Sequence, residues 1–232
     1  MARRIWRARI SAERRWPGRN FAAATRRGWR RPRLVARYDY TDERGKLVSQ
    51  VLRYQPKSFR HRCPDGRGGW RWNVHDPAAL TLYRLPRVLQ AVRAGEVVYV
   101  VEGEKDVEAV ERAGGVATCS PGGAGEWRRD YSQRLQGARV VIVADRDWAG
   151  RRHAARVAGS LRSVAAEVRI VDPAVGKDAA DHLAAGRTLE EFEPTEPQLL
   201  DRVRWELKAG RGMAPAGRGG LHPGRDRRLA SH

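Results

Sequence analysis

The sequence has little of what several common classes of protein need. It contains only two cysteines, Cys63 and Cys119, which excludes a disulfide framework and favours a reducing compartment, the cytoplasm. A zinc site needs four soft ligands, and without a Cys-x-x-Cys pair only His61 and Cys63 could supply two from one strand face, so no zinc is expected. No apolar run approaches the roughly 18 residues of a membrane helix, so no membrane partner is expected.

Acidic residues are also scarce, 27 against 46 lysines and arginines, and the imbalance is concentrated near the two ends. Residues 1–33 carry twelve arginines and one acidic residue, Glu13, with three tryptophans interleaved. Residues 208–232 hold six basic residues against Asp226. Such arms either bind nucleic acid or an anionic surface without sequence preference, or are solvated ends. We expect two disordered basic tails, 1–33 and 209–232, around a nearly neutral globular part.

The segment after the first tail has the two-residue alternation of β-strands. Residues 34–94 are predicted to form a small antiparallel β-rich subdomain that ends in a helix at 85–94. Basic residues, among them Lys57 and Arg60, alternate there with aromatic ones. Two interpretations remain open: long basic side chains on the solvated face of a half-buried sheet, or a surface that binds single strands by stacking.

The next segment, 95–193, alternates short apolar runs with helical patterns. The apolar runs are predicted strands at residues 97–101, 116–119, 139–144 and 167–171. Strands that alternate with helices in this way predict an α/β fold, a doubly wound, mostly parallel four-stranded sheet with right-handed crossovers. A further helix is predicted at 194–208, beyond the sheet.

Carboxylates follow these predicted strands where each strand ends. Glu102 follows the first, Asp145 and Asp147 follow the third, and Asp178 and Asp181 follow the fourth. Because the carboxyl ends of parallel strands meet at one edge of a sheet, we expect these side chains to gather there. Residues two apart at a strand end point to the same face, so Asp145 and Asp147 can approach one metal ion. Asp178 can join them, and Asp181 is a supporting position.

Hard oxygen ligands of this kind suit Mg²⁺ or Mn²⁺, and four carboxylates could hold two cations for in-line displacement at phosphorus. Glu102 precedes a glycine and could be a metal ligand or a general acid or base. Glu104 and Asp106 are expected to serve the first turn of the next helix.

Rival motifs are incomplete. Residues 176–178 are not part of a P-loop, because the first glycine and the final hydroxyl residue of that pattern are missing. Residues 123–125 lack the third glycine of a dinucleotide fingerprint and form either a plain turn or a phosphate cradle at a helix N-terminus. His153 and His182 are expected to face solvent.

These motifs together resemble the Toprim domain, in the version found in bacterial and phage DNA primases and primase-helicases. The matching segments are residues 102–106 (EGEKD), 145–151 (DRDWAGR) and 176–181 (GKDAAD). The order, the spacing and the strand context agree over roughly residues 95–193. Weaker likeness to phage-type primase cores extends to about residue 35, through residues 57–60 (KSFR), 68–70 (GGW) and 82–86 (LYRLP).

The resemblance implies Mg²⁺-dependent joining of nucleoside triphosphates into RNA primers on a single-stranded DNA template during replication. It implies catalytic roles for Glu102, Asp145 and Asp147, and it adds Asp178 to these three as a metal ligand. It also suggests contacts with the template or the nucleotide by five basic residues, Lys57, Arg60, Lys105, Arg151 and Lys177.

The sequence departs from that family in two ways. It has no cysteine quartet for a template-reading zinc ribbon, and it has no Walker A motif for a helicase domain. Template recognition and translocation would then come from a separate replicative helicase or zinc-ribbon protein, or the chain is part of a phage or mobile element. Two other functions stay open: a non-catalytic single-stranded nucleic-acid-binding module and a Toprim-type metal-dependent nuclease.

Overall fold

A computed structural model describes residues 32–72 and 80–201. The strands are β1 (Arg33–Thr41), β2 (Leu47–Gln55), β3 (Ser58–Pro64), β4 (Trp70–Trp72), β5 (Val97–Val100), β6 (Val116–Thr118), β7 (Arg139–Val143), β8 (Glu167–Asp172) and β9 (Glu193–Pro194). The helices are α1 (Leu85–Ala94), α2 (Glu104–Arg112), α3 (Arg129–Gln133), α4 (Trp148–Leu161) and α5 (Ala179–Ala184), with a 3₁₀ turn at Leu189–Glu191.

The predictions for the chain ends concern residues that are mostly not described. The predicted basic tails lie almost wholly outside the described residues. The helix predicted at 194–208 begins later than expected, at residue 197, because Glu193–Pro194 pairs with β8 as strand β9. Residues 197–201 are helical, and residues 202–208 lie outside the described residues. None of the helices within residues 32–72 and 80–201 has the length and apolarity needed to cross a bilayer.

The antiparallel subdomain is a four-stranded sheet in the order β1-β2-β3-β4. An aspartate fixes the turn at each outer hairpin: the Oδ1 atoms of Asp42 and Asp65 each accept hydrogen bonds from the backbone N–H groups two and four residues further on. Tyr38 pairs with Val51 across β1 and β2, and both are buried on the face towards the second sheet.

The second sheet has the order β6-β5-β7-β8-β9, in which all pairs are parallel except β8 with β9. The predicted architecture, an α/β fold with a mostly parallel sheet after a small antiparallel one, is therefore confirmed. The fifth strand was not predicted, because Glu193–Pro194 is two residues long and contains a proline. It forms only because it pairs with the end of β8.

Helices cover both faces of the parallel sheet. The core on one face joins α1, α3 and α4 to the sheet through residues such as Val88, Ile142 and Leu161. The core on the other face joins α2, α5 and the antiparallel sheet, and it includes Tyr40 and Val107. The antiparallel sheet thus lies on the α2 side, near the carboxyl ends of the central strands.

The loops before two of the helices determine where each helix starts. Helix α3 begins at Arg129, after a loop at 121–128. Helix α4 begins at Trp148 because Asp147 serves as its N-cap and accepts a hydrogen bond from the backbone of Gly150. Asp147, a predicted metal ligand, therefore also caps a helix.

Candidate metal centre at the carboxyl edge of the parallel sheet

The loops that follow β5, β7 and β8 bring the predicted acidic residues to one edge of the sheet. Glu102 follows β5, while Asp145 and Asp147 follow β7. The loop after β7 is tied to the loop after β8 because the backbone N–H of Arg146 donates to the carbonyl oxygen of Lys177, at 2.8 Å. The side chain of Lys177 then reaches both aspartates: its Nζ lies 2.9 Å from Asp147 Oδ2 and 4.0 Å from Asp145 Oδ2.

A glycine allows helix α4 to start next to Asp145. A Cβ atom on Gly150 would lie 2.5 Å from the Cβ of Asp145 and 2.8 Å from its backbone oxygen. Only glycine therefore fits, and it keeps Asp145 and the helix N-terminus in direct contact. Asp147 is held from the same turn, since its Oδ1 accepts from the Gly150 N–H at 2.8 Å.

Several carboxylates lie close together at this edge of the sheet, and their charges affect one another's pKa. Burial, with added repulsion from the charges of Glu102, Asp106 and Asp178, raises the pKa of Asp145 to about 8. Burial and the charge of Asp147 raise the pKa of Glu102. The pKa of Asp147 is instead lowered by the backbone N–H of Gly150 and by Lys177. Carboxylates that raise one another's pKa favour a bound cation, which removes the repulsion.

Asp178 and Asp181 lie at the start of α5. Asp178 is the N-cap of that helix and its Oδ1 accepts from the backbone N–H of Asp181, at 2.8 Å. The Nζ of Lys105 contacts Asp178 at 3.3 Å and Asp181 at 3.5 Å. Asp181 also accepts a hydrogen bond from the backbone N–H of Lys177, at 3.2 Å, and so holds the loop that carries this lysine.

Two acidic residues in the first turn of α2 contribute more than the sequence indicated. Asp106 is buried and accepts a hydrogen bond from the backbone N–H of Ala180, at 3.0 Å. Burial and the charge of Asp178 raise its pKa to about 6. Glu104 is buried too, and it accepts a hydrogen bond from the Tyr40 hydroxyl at 2.7 Å. No separate signal in the sequence indicated these contacts, because acidic residues are common in any first helical turn.

The carboxylate oxygens at this edge suit a hard divalent cation, but they are not arranged as a complete metal-binding site. Among the described residues, no three histidine, cysteine, aspartate or glutamate side chains stand close enough together to hold a metal ion. The ammonium groups of Lys105 and Lys177 lie against the carboxylates instead. A cation bound by Asp145, Asp147 or Asp178 would therefore replace contacts with lysine.

The basic residues predicted to contact template or nucleotide occupy three different surroundings. Lys57 is close enough to the edge for its charge to lower the pKa of Glu102. Arg60 lies over the ring of Tyr54, at 5.6 Å from its centre. Arg151 is mostly buried and forms an ion pair with Asp172, at 3.3 Å. It thereby joins α4 to β8.

The expectation that His153 and His182 face solvent is wrong, since both are buried. The Nδ1 of His153 accepts a hydrogen bond from the backbone N–H of Gly125, at 3.1 Å. The Nδ1 of His182 accepts from the backbone N–H of Ala174, and its Nε2 lies 2.9 Å from the carbonyl oxygen of Thr188. Both histidines form hydrogen bonds with backbone groups of loops. The sequence pattern gave no indication of these contacts.

A parallel sheet covered by helices on both faces, with carboxylates gathered at its carboxyl edge, is the architecture of a Toprim-type domain. Comparison with family models identifies it directly: residues 97–188 match the model of the Toprim domain, and this part of the chain is a Toprim domain.

Solved structures that the chain matches include bacterial and phage primase cores. The Escherichia coli primase catalytic core matches with 22% identity and a TM-score of 0.52, over 78% of this chain and 59% of that one. A DNA primase domain from Pseudomonas aeruginosa matches with 23% identity and a TM-score of 0.49, over 74% and 50%. The primase fragment of the bacteriophage T7 primase-helicase matches with 20% identity and a TM-score of 0.42, over 73% of this chain and 60% of that one.

The likeness of fold rests on the first of these structures, of which the chain spans about three fifths (59%). A comparison with curated protein sequences gives no match.

Proposed function

We propose that this protein is a primase-type nucleotidyltransferase that joins ribonucleotides on a single-stranded DNA template with the help of Mg²⁺ or Mn²⁺. The observation that carries the proposal is the group of Glu102, Asp145 and Asp147 at one sheet edge, where burial and neighbouring carboxylates raise the pKa of Asp145 to about 8. Such a concentration of negative charge suits a divalent cation and disfavours a bare polyphosphate.

The proposed roles follow from the contacts of each side chain. Asp145, Asp147 and Asp178 would hold the metal ion, which would neutralise charge on the transferring phosphate when bound. Glu102, whose pKa is raised by burial, would be a further ligand or would move a proton. Lys57, in the turn between β2 and β3, approaches the same edge and suits a phosphate of the template or of the nucleotide.

The remaining basic residues support the proposal unequally. Lys105 and Lys177 already contact the acidic edge, so they are well placed for a triphosphate. Arg60 suits a more distant contact with the template. Arg151 is engaged with Asp172, and we assign it to positioning of α4 rather than to a direct contact.

The proposal also names partners and a compartment. Synthesis would take place in the cytoplasm, in keeping with Cys63 and Cys119, which are both buried and not joined in a disulfide. A separate replicative helicase or zinc-ribbon protein would bring the template to this site.

A template-directed synthesis assay tests the proposal. The intact chain, given Mg²⁺, nucleoside triphosphates and single-stranded DNA of varied sequence, is expected to make short RNA. Asp145→Asn should lower the rate at least about 100-fold, because a metal-ion contact contributes several kcal/mol at the transition state. Asp130→Asn is the matched control, since Asp130 lies in α3 and pairs with Arg128.

Three results would contradict the proposal. Folded wild-type protein that makes no RNA on any template would exclude independent priming. Degradation of DNA with Mn²⁺ and no added nucleotides would indicate the nuclease. Salt-dependent single-strand binding that Asp145→Asn leaves unchanged, without synthesis, would indicate the binding module.

A further inference from the structure

Lys177 combines a fixed backbone with an exposed side chain. Its carbonyl oxygen accepts from Arg146 at 2.8 Å, and its N–H donates to Asp181 at 3.2 Å. Its side chain is 60% exposed and ends 2.9 Å from Asp147 Oδ2. The backbone therefore keeps the ammonium group near the acidic edge, while the flexible side chain can change its contact.

The two oxygens of Asp147 have separate partners. Oδ1 accepts the hydrogen bond from Gly150 that caps α4, and Oδ2 contacts Lys177. The oxygen that remains for a metal ion is thus the one that the lysine already contacts. A divalent cation and the ammonium group cannot both take it without close repulsion between like charges.

The contact with Lys177 is also easy to break. An exposed ion pair contributes only about 0–1 kcal/mol, because water solvates both partners well. A hard divalent cation carries twice the charge and bonds carboxylate oxygen directly, so it would displace the ammonium group.

We propose that Lys177 is an exchangeable counter-ion of the acidic edge. Before a metal ion binds, its ammonium group pairs with Asp147 and lies near Asp145. When a divalent cation takes Asp147 Oδ2, the ammonium group is released to bind the phosphates of a nucleoside triphosphate. A released cation beside a metal ion is repelled by it, and a polyanion that contacts both removes this repulsion. Metal binding thereby prepares the site for the triphosphate, a step that rests on the proposed function.

A neighbouring residue provides a matched control for this lysine. Arg146 lies between Asp145 and Asp147 in sequence and carries the same charge. Its Nη1 donates to the carbonyl oxygen of Ala174, at 3.3 Å, and it pairs with no carboxylate in the part of the chain that the structure describes. Arg146→Gln removes one positive charge from the same loop without removing a contact with the acidic edge.

The first measurement is the affinity of the intact chain for Mn²⁺ alone, by electron paramagnetic resonance at pH 8.5 and 0.15 M salt. Lys177→Gln is expected to bind Mn²⁺ roughly two- to fivefold more tightly than wild type, the range of one partly exposed ion pair. Arg146→Gln is expected to change the affinity less than this, because a more distant charge is screened at this salt concentration. Weaker or unchanged Mn²⁺ binding by Lys177→Gln would overturn the proposal.

The second measurement is the affinity for ATP with and without saturating Mn²⁺, by equilibrium dialysis. With Mn²⁺, Lys177→Gln should bind ATP about tenfold more weakly than wild type, the usual loss for a hydrogen bond to a charged group, and Lys177→Arg should restore most of the loss. Without Mn²⁺ the two proteins should differ little, because the lysine is still engaged by Asp147. If Lys177→Gln lost ATP affinity equally with and without Mn²⁺, the proposed exchange of Lys177 from Asp147 to the triphosphate would be refuted.

Neither measurement requires turnover. If no template supports RNA synthesis but both binding results hold, the proposed function fails and the exchange stands. If RNA is made but Lys177→Gln does not tighten Mn²⁺ binding, the exchange fails and the proposed function stands.

Discussion

The acidic side chains at the edge of the parallel sheet are held by backbone groups, whereas the basic and aromatic side chains of the antiparallel sheet are held mainly by one another. Asp147 and Asp178 each cap a helix, and Asp106 accepts from a backbone N–H. On the antiparallel sheet, Arg62 donates to Gln50 at 2.6 Å and lies 3.9 Å from the ring centre of Trp70.

This difference suits two kinds of ligand. A metal ion needs oxygen ligands in a narrow range of geometry, which backbone contacts provide. A flexible single strand needs an extended, adaptable surface of positive charge and aromatic rings. The acidic edge should therefore tolerate backbone displacement poorly, while the antiparallel sheet should respond gradually to loss of single side chains.

The largest effect is expected from Gly150→Ala. The new Cβ would lie 2.5 Å from the Cβ of Asp145, so helix α4 must move away from the edge. We expect a loss of about 2–3 kcal/mol in the free energy of unfolding, as for other overpacked sites. We also expect synthesis to fall about 100-fold, because a shift of about 1 Å can cost that much. Urea unfolding and the priming assay measure the two effects.

Gly159→Ala is the control within the same helix. Nothing lies within 4 Å of a Cβ added at Gly159, so alanine should stabilise the protein by roughly 0.5–1 kcal/mol and leave synthesis unchanged. Comparable losses of stability and of synthesis in the two variants would show that synthesis depends on α4 as a whole and not on its contact with Asp145.

The next-largest effect is expected at the contact between the two sheets. Tyr40 is fully buried, and its hydroxyl donates to the buried carboxylate of Glu104. Tyr40→Phe removes the donor and should cost about 2 kcal/mol at pH 7, the penalty for a buried group left without its partner.

The loss should depend on pH with a definite sign. Burial raises the pKa of Glu104 above its usual range, so the penalty for its charged form applies at neutral pH and disappears as the pH falls and the carboxyl group takes up a proton. Tyr40→Phe should therefore destabilise the protein less at pH 5 than at pH 7, as measured by urea unfolding at both values. An equal loss at the two values would show that the hydroxyl does not stabilise the ionised carboxylate.

Contacts such as this one mark the limit of what the sequence could predict. The strand segments of the parallel sheet and the placement of Glu102, Asp145 and Asp147 after two of them followed from local patterns, because apolar runs and the residues directly after them are adjacent in the chain. The bond from Tyr40 to Glu104 spans 64 positions and joins two sheets. No periodicity encodes the docking of one sheet on another, so this contact had to come from the structure.

The same reason explains the residues that were misjudged. His153 and His182 stand in helices whose polar positions resemble those of a solvated face, yet loops cover both. The strand β9 lacked any pattern, because two residues cannot show alternation. Local chemistry thus predicted which residues lie at the sheet edge, and tertiary packing decided what surrounds them.

A smaller effect is expected from the exposed aromatic residues of the antiparallel sheet. Phe59 and Trp72 are almost equally exposed, at 46% and 47%, but they lie on opposite faces. Phe59 pairs with Arg53 on the face of β2 that packs towards the parallel sheet, and Trp72 pairs with Arg62 on the other face. Only the first face adjoins the acidic edge.

If the template passes along that edge, a base can stack on Phe59 but not on Trp72. Phe59→Leu should weaken binding of oligo(dT) about five- to tenfold, the usual contribution of one stacked base, while Trp72→Leu should weaken it less than about twofold. An oligonucleotide of abasic sites should remove the difference between the two variants. A greater loss for Trp72→Leu, measured by fluorescence anisotropy, would place the strand on the outer face.

The smallest effect concerns the loop at the far end of the acidic edge, where His153 holds the backbone of Gly125. Burial, with the charge of Arg156, lowers the pKa of His153 from its usual 6.5 to about 4. Above pH 6.5 the histidine is neutral in both the folded and the unfolded state. As the pH falls towards 4, only the unfolded state takes up the proton, so folded stability is lost across this window.

An asparagine at this position would keep an acceptor near the place of Nδ1 and cannot be protonated, so His153→Asn should remove this part of the pH dependence. Between pH 8 and pH 5.5 the wild type should lose about 1 kcal/mol more than the variant. Because all other titrating groups are shared, the difference between the two urea-unfolding curves isolates the histidine. Parallel curves would mean that His153 is as readily protonated in the folded protein as in the unfolded chain, and that the loop is not closed around it.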